Sequence, residues 1–198
     1  MGVEFELKYG ADRQQQEAIR QAFAGAEKMY QMQTTYYDTP TGQFSAKKCT
    51  LRRRLENGVS VCTLKTPAEG FGRREWEVAC ETIEEAVKEL CKLGGPADIL
   101  AMAEEGLIPI CGARFTRIAK LICWEDTQLE LALDEGILTG GNREMPLCEV
   151  EVELKSGSQE ACLAFAHILS ERFGLVTEKK SKFRRALDLA KGGNDGTA

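Results

Sequence analysis

Strict alternation of apolar and charged residues marks the chain from its start. Val3, Phe5 and Leu7 interleave with Glu4, Glu6 and Lys8 over residues 2–9. A period of two places these sets on opposite faces of a β-strand. The same reading predicts strands over 29–38, 49–57, 59–66, 72–80, 114–124, 127–134 and 145–155. Asn57-Gly58 after Glu56 is a hairpin turn signal, and Asp38-Thr39-Pro40-Thr41-Gly42 ends the second strand. Helical spacing appears between the strands. Asp12 is an N-cap for a helix to about Gly25, with Ala18, Ile19, Ala22 and Phe23 on one stripe. Thr82 caps a helix that ends at Leu93, where Gly94-Gly95-Pro96 stops it. A short helix is predicted around 97–105 and a last one over 181–191. The helix predicted over 158–173 places Ala161, Cys162, Phe165, Ala166, Ile168 and Leu169 inside. Runs of neighbouring strands with helices in the middle and at both ends predict an antiparallel α+β fold.

The polar face of the strands is charged rather than merely polar. Arg52 and Arg54 oppose Leu51 and Leu55, and Lys65 opposes Cys62 and Leu64. Arg73, Glu75 and Glu77 oppose Trp76 and Val78. Glu130 and Asp134 oppose Leu129, Leu131 and Leu133, while Glu149, Glu151 and Glu153 oppose Cys148, Val150, Val152 and Leu154. Two geometries fit. An open sheet would show these charges to water. A barrel would line a central channel with them. Like charges stand in i, i+2 pairs (Arg52 with Arg54, Glu4 with Glu6, Glu75 with Glu77, Glu149 with Glu151). Such neighbours repel unless opposite charge lies among them. A polyanion over the basic pairs and hard divalent cations among the carboxylates would supply it, which favours the channel. Alternation fails around Arg117, because Phe115, Ala119 and Leu121 share its parity; a bulge is expected there.

At 198 residues, the length fits one domain, placed over 1–191, with a flexible Gly-rich tail at 192–198. A net charge of -5 argues against nucleic-acid or anionic-membrane partners. No run approaches the roughly 18 apolar residues of a membrane span. Charges begin at Glu4, which does not read as a secretory leader, and Glu6 departs from a myristoylation signal. The eight cysteines form no C-x-x-C pair and read as small buried hydrophobes. A cytoplasmic location agrees with that. The single histidine, His167, falls beside Phe165 and Ile168 and reads as structural or surface.

The residues of the charged face also carry a resemblance. E-x-E-x-K at Glu4, Glu6 and Lys8 resembles the signature of the CYTH superfamily, the triphosphate tunnel metalloenzymes. Further elements follow in order: TYYDTP at 35–40, LRRR at 51–54, TLK at 63–65 and RREWEV at 73–78. Arg117, LALDEG at 131–136, CEVEVELKSG at 148–157 and SKFRRAL at 181–187 complete them. The likeness covers nearly the whole chain and is strongest to bacterial inorganic triphosphatases.

This resemblance implies an eight-stranded antiparallel β-barrel, a triphosphate tunnel, with flanking helices. It implies that Lys8, Arg52, Arg54, Lys65, Arg73, Arg117, Lys182 and, more weakly, Arg185 bind the phosphates of a small-molecule triphosphate. Glu4, Glu6, Asp134, Glu149 and Glu151 would hold one or two Mg²⁺ or Mn²⁺ ions, supported by Glu75, Glu77, Glu130 and Glu153. The catalytic set would be Glu4, Glu6, Lys8, Arg52, Arg54 and Lys65. The expected reaction is hydrolysis of inorganic tripolyphosphate to pyrophosphate and phosphate, by positioning and charge neutralisation. Thiamine triphosphatase and class IV adenylyl cyclase share the channel and remain alternatives, as does a polyphosphate- or nucleotide-binding module without catalysis. An organic substrate would need aromatic groups at the mouth, for which Trp76 and Trp124 qualify by type alone. A monomer and a homodimer are both compatible with these residues.

Overall fold

The computed structural model describes residues 5–67 and 73–192. Its elements run β1 (Glu6–Gly10), α1 (Arg13–Ala22), β2 (Glu27–Asp38), α2 (Gln43–Ala46), β3 (Thr50–Glu56), β4 (Val59–Pro67) and β5 (Arg73–Ala79). They continue with α3 (Ile83–Lys92), α4 (Asp98–Ala103), β6 (Ile108–Trp124), β7 (Thr127–Gly140), β8 (Arg143–Ser156), α5 (Gln159–Phe173), β9 (Val176–Thr177) and α6 (Lys182–Ala190). The predicted caps form: Asp12 and Gln15 make a reciprocal capping box, and the Thr82 hydroxyl accepts from the Glu85 amide. Asn57 and Gly58 both take positive φ, as a tight two-residue hairpin requires. The short α2 and β9 have too few residues for a readable period. β6 and β7 outrun their predicted spans because Pro109, Gly112, Gly136 and Gly140 read as breakers, yet neighbouring strands supply their ladders.

Every pairing is antiparallel, and the nine strands form one sheet ordered β5-β4-β3-β2-β6-β7-β8-β1-β9. The α+β class therefore stands. The hydrogen-bonded closure of an eight-stranded barrel does not appear among the described residues, since the ladders end at β5 and β9. Alternation tells which face of a strand is charged, but not which edges meet. The sheet is nonetheless strongly curved, because β1 and β3–β5, far apart in the strand order, line one cavity with β6, β8 and α6.

Three apolar clusters hold the curve. On the convex side, α1 and α5 cover β1, β7 and β8 through Ile19, Cys162, Phe165 and Leu169, with Leu131, Val150 and Val152 beneath. There, Trp124 meets Phe165 edge to face. The α1 stripe differs from expectation: Ala18 and Ala22 are exposed, while Gln16 and Ile19 are buried. Ile168 on α5 is likewise exposed at 49%, and His167 lies on the exposed surface. A second cluster seats α3 and α4 on β3–β5 around Leu51, Leu64, Trp76 and Leu90. The third lies on the concave side. There α6 packs through Ala186 and Leu187 against Cys111, Ala113, Phe115, Leu138 and Leu147.

That third cluster explains the place of Phe115 in the broken alternation. The β6–β7 register runs without interruption from Cys111 to Trp124, so no bulge sits at Arg117. The irregularities fall at Tyr36/Tyr37 and Gln128/Leu129 instead. Phe115 shares parity with Arg117 because the concave face is apolar where it receives α6 and charged beyond. Contact there is close. A Cβ on Gly140 would lie 2.4 Å from the Ala186 carbonyl oxygen and 2.5 Å from the Ala190 nitrogen. Gly140→Ala is therefore expected to push α6 off the sheet and cost about 1–3 kcal/mol. Chemical denaturation checks this, and an unchanged midpoint would contradict the seating of α6.

Candidate functional site

A cavity of about 590 Å³ opens on the concave face. Its walls differ in charge. β1, β3, β4 and β5 contribute Lys8, Arg52, Arg54, Lys65 and Arg73, together with Glu6 and Glu75. Arg73 lines it and the adjacent Arg74 does not, as strand parity predicts. Acidic groups stand among these cations at varied distances. Lys65 Nζ lies 3.1 Å from Glu75 and Arg52 lies 3.8 Å from it. Arg54 meets Glu56 at 2.5 Å and Glu77 at 3.8 Å, and Lys8 meets Glu6 at 3.1 Å. The Nε–H groups of Arg52 and Arg54 are buried without an acceptor. Burial, then the neighbouring Arg52 charge, lowers the Arg54 pKa, to which Arg117 adds. Such unmet donors have a place in a site that takes an oxygen-rich anion.

The opposite wall holds a buried ion cluster. Asp134 on β7 and Glu149 on β8 are register partners, and Glu151 is two residues further along β8. One oxygen of each lies within 4.8 Å of the others. Three cations meet them. Arg117 donates from Nε and Nη2 to Asp134, both at 2.7 Å, and also bonds Glu151. Lys182 Nζ stands 2.8 Å from Asp134 and 2.7 Å from Glu151, and bonds Glu149. Arg185 bonds Glu149 as well and approaches Glu178 at 3.5 Å. Lys182 and Arg185 stand one turn apart on α6, so that helix carries two of the three cations. Phe115 lies under Lys182 and Arg117, with its ring centroid 5.4 Å and 5.9 Å away.

Desolvation governs the ionisation here. Burial pushes the Glu149 carboxyl up to about 7 against the pull of Lys182. Glu151 suffers the same burial, yet Lys182 and Arg117 hold it below the usual carboxylate range. Burial also opposes the charges of Arg117 and Lys182, but Asp134 and the glutamates keep both above their ordinary values. Three carboxylate donors around one ammonium are the donor set of a hard divalent cation, with Lys182 standing in that position.

The structure thus brings most expected site residues together and separates some. Glu6, Glu151 and Glu153 line the cavity, whereas Asp134 and Glu149 lie sealed behind it at 0% exposure. Lys182 lines the cavity too, but its ammonium and the Arg117 and Arg185 guanidinium groups are engaged by carboxylates. Glu130 turns to Lys155 at 3.6 Å and is not among the lining residues; Glu77 is half-exposed and likewise not a lining residue. Glu4 lies outside the described residues. Neither tryptophan reaches the cavity: Trp76 and Trp124 are core groups. The sequence reading missed Lys179, Lys180 and Arg184, which line the rim beside the Ser181 cap of α6. The run of five cations within residues 179–185 was the available signal.

Comparison with known proteins agrees with this geometry. The CYTH domain family matches residues 2–187. An inorganic triphosphatase of Haemophilus influenzae is 30% identical over 154 residues, which are 76% of this chain and 44% of that protein. The chain thus spans less than half the length of that relative. Among solved structures, a Pyrococcus horikoshii protein superposes with a TM-score of 0.63 at 22% identity, covering 92% of this chain and 97% of its own. A putative adenylyl cyclase from Hippeastrum, described as having a dominant triphosphatase activity, superposes with a TM-score of 0.66 at 19% identity, over 96% of both chains. At these identities the two structures speak for the fold alone. The family match over nearly the whole length, on the strands that build the charged cavity, makes this chain a member of the CYTH domain family.

Proposed function

We propose that this chain is a divalent-metal-dependent triphosphatase that hydrolyses inorganic tripolyphosphate to pyrophosphate and phosphate inside the curved sheet. The observation that carries the reading is the pairing of walls. Arg52, Arg54 and Lys65, with the Nε–H groups of both arginines unmet, face a carboxylate wall across a cavity large enough for a small polyanion. The name of the Haemophilus influenzae relative supports the reaction class.

In this reading Arg52 and Arg54 grip successive phosphate oxygens with their planar forks, and Lys8, Lys65 and Arg73 add point or forked charge. Lys179, Lys180 and Arg184 draw the anion to the rim. Glu6, Glu151 and Glu153 at the cavity, with Asp134 and Glu149 behind, would hold one or two Mg²⁺ or Mn²⁺ ions. Such an ion, when bound, neutralises charge on the phosphate chain and activates water. The chain's own residues hold the substrate in line and keep the carboxylates placed. The open sheet curves around the cavity, and α6 lies along one side of it.

An inorganic substrate suits the lining. Of the three aromatic rings at the cavity among the described residues, Tyr36 and Phe115 are buried at 5% and 8% exposure, and Phe183 packs on Tyr36 at 4.9 Å. They pack in the cluster that seats α6, which leaves little aromatic surface to hold thiamine or adenine. One assay tests the proposal: phosphate and pyrophosphate release from tripolyphosphate, thiamine triphosphate and ATP, with and without Mg²⁺, Mn²⁺ or Ca²⁺. Metal-dependent release from tripolyphosphate above the others is expected. Cyclic AMP from ATP would replace the reading with a cyclase, and no turnover of any substrate would leave a binding module.

A further inference from the structure

The core-facing stripe of α1 contains an amide where an apolar residue is the rule. Gln16 is 7% exposed, between the convex face of the sheet and the helix. Its Nε2 donates to two carbonyls at once, that of Asp134 at 3.0 Å and that of Glu149 at 2.9 Å. Those residues are the register partners of β7 and β8 whose side chains project to the other face, into the ion cluster. One amide therefore clamps, from behind, the backbone of two of the three clustered carboxylates.

The clamp is itself held. Asp12 and Gln15 close the capping box at the start of α1, and the Gln15 amide also donates to the carbonyls of Phe173 at 2.9 Å and Gly174 at 3.1 Å. At the other end, the buried Lys120 ammonium donates to the carbonyls of Arg20 at 2.7 Å and Phe23 at 2.6 Å. The helix is pinned at both termini, so the Gln16 side chain acts as a fixed strut rather than a tether to a loose element. The direction of each Cα–Cβ bond follows its strand's backbone, so tilting either peptide swings the carboxylate on the far face. Metal sites depend on groups that orient their ligands, and losing such a group characteristically weakens metal affinity about 10- to 100-fold.

We infer that Gln16 is a positioning residue for the divalent-cation site, setting the spacing of the Asp134 and Glu149 carboxylates through their backbone. This rests on the metal-dependent reading of the cavity. The experiment is Mn²⁺ binding to the full chain followed by electron paramagnetic resonance without substrate. Alongside it, the metal dependence of tripolyphosphate hydrolysis and thermal unfolding are measured. Wild type is compared with Gln16→Met, which keeps the bulk and loses the donor. Gln16→Asn, which keeps the amide but is one methylene short, is the second variant should the first not fold. The expected result is at least a tenfold rise in the Mn²⁺ dissociation constant and in the metal half-saturation, with kcat at saturating metal within about threefold. A folded variant with unchanged Mn²⁺ affinity would overturn the inference, and so would a loss of kcat at every metal concentration with affinity intact. If wild type binds Mn²⁺ but hydrolyses nothing, the triphosphatase reading fails while the binding comparison still decides the role of Gln16. If wild type binds no Mn²⁺, both fail.

Discussion

Replacing Arg52 or Arg54 by Ala is expected to lower tripolyphosphate turnover about 100- to 1000-fold while the protein stays folded. The two guanidinium groups project from one face of β3 into the cavity, so each lies in the field of the other. Glu75 stands 3.8 Å from Arg52 and Glu77 3.8 Å from Arg54, beyond a good charge-assisted hydrogen bond, while Glu56 pairs with Arg54 at 2.5 Å. The Nε–H group of each arginine has no acceptor, leaving donors for charge developing on a phosphate chain. Removing one of two mutually repelling, partly buried cations costs little in folding: the midpoint should hold or rise slightly for Arg52→Ala, and Arg54→Ala, which also loses the Glu56 pair, should cost no more than about 1 kcal/mol. Phosphate release and thermal unfolding on the same preparations separate the two effects. Full activity in either variant would remove the basic wall from the mechanism. Collapse of the fold would show instead that the arginines serve the sheet.

Lys182→Met should act in the opposite way, on stability first. Its ammonium is the common partner of Asp134, Glu149 and Glu151. Deleting it leaves three buried carboxylates against Arg117 and Arg185 alone. Removing one partner from a buried ionic group costs about 3–5 kcal/mol, because the remaining charges stay desolvated. The loss should be largely restored by Mn²⁺ or Mg²⁺, which should stabilise this variant more than wild type, since a ligand that binds only the folded state stabilises it and the vacated position no longer holds an ammonium. Urea unfolding with and without metal measures both. A variant as stable as wild type, or one that metal leaves unrescued, would mean the cluster is not organised around that cation.

Gln16, by contrast, was hidden for a reason that can be named. Amphipathic spacing assigned the buried stripe of α1 to Ala18, Ile19, Ala22 and Phe23, yet Gln16 is buried where Ala18 and Ala22 are exposed. A polar residue enters a core only when its hydrogen bonds are met there. Its acceptors are carbonyls 118 and 133 residues away. No local pattern reports such partners. The pairing of Arg117 with Asp134 was invisible for the same reason, since register across β6 and β7 is a tertiary fact.

The sequence by itself determined the elements and their faces. Period-two alternation placed Arg52, Arg54, Lys65, Glu75, Glu149 and Glu151 on the polar side of their strands. Capping residues placed the starts of α1 and α3, because both rules act within a few residues. Tertiary structure alone decided how those faces meet. It left the ladders open at β5 and β9 while curving the sheet enough for β1 and β3–β5 to share a cavity. It also put α6 on the concave side, where Lys182 and Arg185 neutralise carboxylates that the strand pattern had placed only on a polar face. Burial raises the energy of an unpaired charge far more than exposure does, so the position of a helix distant in sequence governs which charges remain available to a ligand.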